Sequence, residues 1–598
     1  MKLIFRQYLA SLRERRELDA VVPDLLSELG YTVTSRPSIG TRQYGVDVAA
    51  ISPADAEGKR KLYLFSLKQG DLTRADWDGT PQALRSSINE ILDVYIPTRV
   101  AKAHRKYDIV ICLCFGGDVQ EAVRDNVTMF TNGLSREGLS FEEWNGDYLA
   151  GLLVEGVLRE QLVRPELRTS FQKAVAMVDE PEVAFTHFAA LIKALCSTPD
   201  ATPRQRTTIL RQLSICLWVF FVWARDTGNI EAPYRASERA LLHAWHLIRD
   251  DIGRAGKASE EAGLAYADLV DLHFTIWDAL IGEKILPFVE KQHAISVAVN
   301  SAASADVNLK LFEMLGRIAV RGLWHLWSKG GTALLPDVRA DWESTEASAL
   351  AQQIVHLIQN NPILMTPITD EQAVDIGVAL LFLSMLESWQ PAARNYADAL
   401  IQRTSLAYRT HNKYPTIYSD YRSLIKHPHE RTDDYRQAQT KASTLYPLLS
   451  IWASSSGATK GANHLAEFFA KFMGHCTTQF WIADADTEAR FYIGDTQHGA
   501  SLGSMPITED GAEMMEILQT ECAPSKAFLG LSAVRLGHWP ILALACRHYR
   551  LPLPPDLWIG VIKQMRASRQ TPDAAAAKKP KRRRRSATGK SKPGRKSA

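Results

Sequence analysis

Apolar residues fall at Leu18, Val21, Val22, Leu25, Leu26 and Leu29, the i, i+3, i+4, i+7 stripe of a half-buried helix, and predict a helix from Leu12 to Leu29. Gly30 suits the left-handed position that closes such a helix, and Tyr31-Thr32-Val33 opens a first strand with aromatic and β-branched residues. A second strand carries Asp47, in Gly45-Val46-Asp47-Val48. Its partner, Lys61 to Gln69, alternates, so that Ser66 and Lys68 point to one face and Phe65 and Leu67 to the other. Tyr107 to Phe115 is a continuous apolar run ending at Gly116-Gly117, which predicts a central strand covered on both faces. Leu139 to Trp144 reads as a short strand, Asn145-Gly146-Asp147 as a tight turn, and Tyr148 to Leu158 as a helix.

From about Pro165 to Met565 the period becomes helical, broken by Pro, Gly and Asn clusters. Helices are predicted over Arg206 to Ala224, Ala236 to Arg249, Leu264 to Leu280, Asn308 to Leu326, Asp370 to Ser388 and Ala462 to Met473. No fixed repeat recurs, which favours an irregular helical region over a solenoid. Inside it, Thr478 to Ile482 and Ala489 to Ile493 flank Asp484-Ala485-Asp486 and predict one β-hairpin near 477–494. Asp484, Asp486 and Glu488 lack the glycine and distant glutamate of a calcium loop and read as a polar turn. His427-Pro428-His429-Glu430 reads as an exposed charged loop rather than a metal site.

The chemistry concentrates at Asp47 and Lys68. A carboxylate at a strand end can hold a divalent cation, and an ammonium nearby can stabilise a hydroxide nucleophile and the charge on a pentavalent phosphorus. That pair, the opening helix, the Gly30-Tyr31 turn, a further helix after Lys68 and the closing strand and helix around Trp144 to Leu158 together resemble the PD-(D/E)XK restriction-endonuclease-like superfamily, particularly its Mrr-like branch. The resemblance covers about the first quarter of the chain. It implies an α/β nuclease domain over 1–162, a mixed sheet flanked by helices, followed by a mostly α-helical region over 163–570 and a disordered basic tail over 571–598.

One position departs from that family's pattern: the acidic residue expected two before the lysine is Ser66. A hydroxyl is neutral and binds magnesium weakly, so the site loses a charge–charge attraction of about a few kcal/mol at contact. The resemblance offers replacements, because relatives can place the missing carboxylate on a neighbouring helix. Glu17 on the first helix, or Glu90 on the helix after Lys68, can serve; alternatively Asp47, the Leu67 backbone carbonyl and water suffice for a loosely held Mg2+ or Mn2+. In the implied mechanism Asp47 and Glu17 hold the metal, Lys68 orients the attacking water and Gln69 assists at the phosphate. Glu17 beside Arg15 and Arg16 reads equally as a solvated charge, and Gln69 as a strand cap.

Composition adds three constraints. At 598 residues with 46% hydrophobic content the chain has apolar material for at least two sizeable cores. Seven scattered cysteines, an odd number without a C-x-x-C pair, read as reduced buried thiols and point to the cytoplasm; no export and no membrane contact are expected. Formal net charge is +3, but the 21 C-terminal residues hold 11 Lys or Arg and no acid, leaving 59 basic against 67 acidic residues elsewhere, a balance of −8. Lys578, Lys579, Lys581, Arg582, Arg583, Arg584 and Arg585 form a tract that cannot bury apolar surface and suits a polyanion. Half of the tail's charges on phosphates would give a salt slope of about −5.

Tyr408 to Tyr414 and Tyr418 to Lys426 mix rings with positive charge, as surfaces that stack bases and bind phosphates do; snorkelling helix termini give the same pattern. No Walker loop, kinase signature or G-x-S-x-G occurs, which argues against an ATP motor or a serine hydrolase. The expectation is a metal-dependent endonuclease acting on DNA, with RNA also open, in bacterial restriction or defence, whose helical region senses or binds a partner protein. The alternative is a nuclease fold that has lost catalysis and acts as a DNA-binding or scaffolding subunit, which Ser66 supports.

Overall fold

The computed structural model describes residues 5, 6, 9, 10, 12, 14, 18–36, 43–153, 165–198, 200–330, 342–522 and 525–570. Helix α1 (Asp19–Glu28) buries Val21, Val22, Leu25 and Leu26, the stripe visible in the sequence. Gly30 at φ +83° turns the chain, and the Tyr31 N–H donates back to the Leu26 carbonyl at 2.9 Å. Five strands follow in a mixed sheet of order β1 (Thr32–Ser35), β2 (Val48–Ile51), β3 (Lys61–Lys68), β4 (Asp108–Phe115) and β5 (Leu139–Trp144). The first three pair antiparallel, and β3–β4 and β4–β5 pair parallel. Parallel neighbours need crossovers, and helices α2 (Leu84–Glu90) and α3 (Glu121–Leu134) lie in them. Helix α4 (Gly146–Leu152) follows β5, started by the Asn145 side chain accepting from the Tyr148 N–H.

The period-two alternation gives the sheet two different cores. Leu62, Leu64, Ile111 and Leu113 pack on Leu84, Ile88, Val123 and Val127 of α2 and α3. Tyr63, Phe65, Leu67, Cys112 and Trp144 face the other way, into an apolar core that runs without a break into the helical region. The expected division at 162/163 falls outside the described residues, and the described residues on either side of it contribute to one apolar core.

The helical region is built on α5 (Pro203–Asp226), α6 (Glu231–Ile248), α7 (Lys257–Trp277), α8 (Ser304–Ser328), α9 (Ala373–Met385), α10 (Gln390–Arg409), α11 (Tyr421–Lys426), α12 (Leu445–Ser456), α13 (Thr459–Phe472), α14 (Pro540–Tyr549) and α15 (Pro555–Gln570). Among the described residues α5 alone is long and apolar enough to cross a membrane by length and composition, and 83% of that stretch is buried inside the protein. Charges are buried here in pairs: Arg317, only 2% exposed, binds Glu231 at 2.5 Å and Glu313 at 2.7 Å, and Arg550 reaches Asp375 at 2.8 Å. Arg547 pairs with Glu238. Burial pushes the His548 imidazole down, so it meets Glu238 at 3.0 Å as a neutral ring. All seven cysteines are free thiols, five of them buried.

Three expectations change. The second strand of the hairpin near 477–494 is absent: β7 (Thr477–Ile482) pairs parallel with β6 (Ala442–Ser443) and antiparallel with β8 (Ala500–Gly503). Residues Thr487–Arg490 and Phe491–Ile493 are helical turns instead, because Asp484 accepts from the Asp486 N–H and the Thr487 hydroxyl and starts a helical turn before the aromatic run. His427 is not in an exposed loop; it is buried, with its ring nitrogens 3.1 Å from the Tyr435 hydroxyl and 3.1 Å from the Tyr414 carbonyl. Tyr408 and Tyr414 are core residues in edge contact with each other, so those rings do not offer a stacking surface.

Candidate active site at the sheet rim

A turn places Asp47. Tyr44 and Gly45 both have positive φ, 51° and 79°, and a Cβ on Gly45 would sit 2.2 Å from the Ser87 carbonyl oxygen of α2. Only glycine permits that approach. The chain then enters β2 with the Asp47 N–H donating to the Phe65 carbonyl at 2.9 Å, while the Leu67 N–H donates to Asp47 Oδ2 at 2.8 Å. The carboxylate is thus anchored across the ladder to β3. One residue on, Lys68 ends β3 with a side chain 13% exposed and its Nζ 3.2 Å from Glu14 Oε2.

The groups act on one another. Burial pushes the Asp47 carboxyl up to about 6; the Leu67 N–H and the Lys68 ammonium pull it down, and the negative charges of Glu14 and Asp19 push it up again. Burial, then the Asp47 charge, likewise raises the Cys114 thiol on β4. One ammonium and three carboxylates share this rim, and the low-dielectric wall behind them strengthens every interaction among them.

Asp47 and Lys68, 21 positions apart in sequence, lie close enough for the Lys68 charge to act on the Asp47 carboxyl. Leu67 contributes its N–H, to Asp47. Ser66 is buried, and Gln69 is exposed just past the strand end. Glu17 lies outside the described residues, as do Lys578, Lys579, Lys581 and Arg582 to Arg585. The acid that meets Lys68 is Glu14, which the sequence reading passed over. Its signal was present: Glu14, Leu18, Val21 and Leu25 fall on one i, i+4, i+7, i+11 line, the spacing of one face of the helix that the sequence predicts.

Among the described residues no group of three or more His, Cys, Asp or Glu side chains is disposed to hold a metal ion. Asp47 and Glu14 offer two hard carboxylates, a donor set that suits Mg2+ when water and a phosphate oxygen complete the shell. Comparison with protein-family models, curated proteins and solved structures finds no match to this chain.

Proposed function

We propose that this chain is a metal-dependent endonuclease of the restriction-endonuclease-like kind that hydrolyses DNA phosphodiesters, in a bacterial restriction or defence setting and with a helical region that docks a partner. The observation that carries this reading is the meeting of Asp47, Lys68 and Glu14 at one rim of the sheet, with Asp47 fixed by the Leu67 N–H at 2.8 Å. Asp47 and Glu14 would hold a divalent ion, Mg2+ or Mn2+. Such an ion would polarise the phosphate and acidify a water. Lys68 would leave Glu14 to hydrogen-bond the attacking oxygen and balance the charge that builds on phosphorus. Gln69, exposed just past the strand end, would meet a phosphate oxygen.

A second reading has its own observation. Ser66 is buried where the family pattern has an acid, and Lys68 is already held by Glu14, an arrangement that also suits a nuclease fold retained for binding. Supercoiled plasmid incubated with the full chain and Mg2+ or Mn2+ separates the two. Nicking or linearisation that stops with EDTA and in both Asp47→Ala and Lys68→Ala is the expected result. A wild type that shifts plasmid without cutting it establishes the binding reading instead.

A further inference from the structure

The strongest uncommitted feature of the molecule is a carboxylate-free groove on the outer face of α10. This helix buries Tyr396, Leu400, Ile401 and Tyr408 and turns Gln402, Arg403, Leu406 and Arg409 to solvent, with Leu406 45% exposed. Two cavities of about 290 Å³ and 480 Å³ open there and share Arg403 and Leu406 as a common wall. The first is completed by Ser304 and Asn308 of α8, Thr366, Asn412 and Lys413; the second by Arg409 with Lys460 and His464 of α13.

No aspartate or glutamate lines either cavity. Among the described residues no ion pair engages Arg403, Arg409 or Lys460, although many other arginines of the helical region are paired. Asp398 on the same helix accepts from Gln402 at 2.9 Å and lies under Gly461 rather than in the wall. Lys413 is held by three carbonyls, those of Leu424, Ile425 and His427, at 2.9, 3.0 and 2.6 Å, so its position is set without a neutralising acid. Cations gathered on rigid helices repel one another unless an anion is brought to them. Two adjoining cavities with a shared arginine suit consecutive negative groups on one chain better than a single ion, and the exposed Leu406 between them offers an apolar surface to a sugar or a base.

We propose that the α8–α10–α13 groove binds the phosphate backbone of a nucleic-acid strand, with Arg403, Arg409 and Lys460 as the phosphate contacts. This inference rests on the reading of nucleic acid as substrate, but not on cleavage. The test is fluorescence anisotropy of a labelled DNA duplex with the full chain in EDTA across a NaCl series. The triple variant Arg403→Gln, Arg409→Gln, Lys460→Gln is set beside a charge-matched triple, Lys59→Gln, Lys291→Gln, Lys329→Gln. Three lost phosphate contacts flatten the slope of log K against log[salt] by about 2.7 and weaken binding about tenfold to a hundredfold near 0.15 M salt. Arg409→Gln alone gives about one third of the slope change.

A groove variant that binds as the wild type does, or changes only as much as the charge-matched control, overturns the proposal. So does a groove variant that keeps its DNA affinity and instead loses binding to phosphatidylserine vesicles. Groove substitutions that lose DNA binding, together with a wild type that binds DNA but never cuts in Mg2+, refute the nuclease reading alone.

Discussion

Replacing Asp47 by asparagine should stabilise the metal-free protein at alkaline pH while abolishing cleavage. The carboxyl rises from 3.8 to about 6 on folding, chiefly because burial disfavours its charge. Two pH units correspond to about 3 kcal/mol of penalty for holding the anion in the folded state. The folded value lies above the unfolded one, so the stability linked to this group is complete below about pH 4 and is lost as pH rises through about 6. Asparagine keeps an oxygen for the Leu67 N–H and removes the charge, while Lys68 retains Glu14 at 3.2 Å. That shift already contains the attraction to Lys68, so the variant should gain about 3 kcal/mol at pH 8 and close to nothing at pH 4. Urea unfolding followed by tryptophan fluorescence in EDTA at both pH values measures the difference. An asparagine variant that is less stable at pH 8, or that shows the same offset at both pH values, refutes the account of a strained, buried charge at this rim.

Other substitutions probe separate links. Glu14→Gln removes the partner of Lys68 and should lower stability by about 1 kcal/mol, given that the pair is partly exposed, and reduce plasmid cutting; denaturant midpoints and nicking rates read the two effects. Gly45→Ala forces a Cβ to 2.2 Å from the Ser87 carbonyl at φ +79°, and should cost about 2–4 kcal/mol with a matching fall in melting temperature. Asp24, raised to about 7 by burial and by Asp268, has a folded value above its unfolded one, so wild-type stability is lost as pH rises from about 4 to 7. Asp24→Asn should flatten that segment of a melting-temperature profile, and a profile parallel to the wild type would remove Asp24 as its cause.

The sheet was legible because its signals are local and repeated. Alternation in Lys61 to Gln69, the apolar run to Phe115 and the Gly30 stop each depend on a few neighbouring residues, and β3 and β4 appear where those patterns place them. Asp47 and Lys68 were legible for the same reason: each marks an end of a short strand. The acid that meets Lys68 was harder to read, because Glu14 and Glu17 sit in one charged run and have similar local surroundings in the sequence. Phe491, Tyr492 and Ile493 carry strand-forming side chains, yet the hydrogen bonds to Asp484 set the backbone before propensity acts. Tyr408 and Tyr414 stayed ambiguous in the sequence because a ring beside arginines has the same signature whether it faces solvent or core.

The same first helix ties the rim to the rest of the molecule. Asp19 on α1 acts on the charge of Asp47, whereas Glu28 at the other end of α1 binds Arg211 of α5 at 3.0 Å with both side chains largely buried. Between them, Arg36 bridges Asp24 of α1 and Asp268 of α7 at 3.3 and 3.4 Å. Phe5 stacks on Phe171 across the same boundary. A shift of α5 or α7 therefore works against the largely buried Glu28–Arg211 pair and the more exposed Arg36 bridge, on a helix whose Asp19 acts on the charge of Asp47, and leaving Glu28 or Arg211 unpaired costs several kcal/mol. That coupling gives the helical region a physical route to Asp47 and Lys68 that a flexible linker between independent domains would lack.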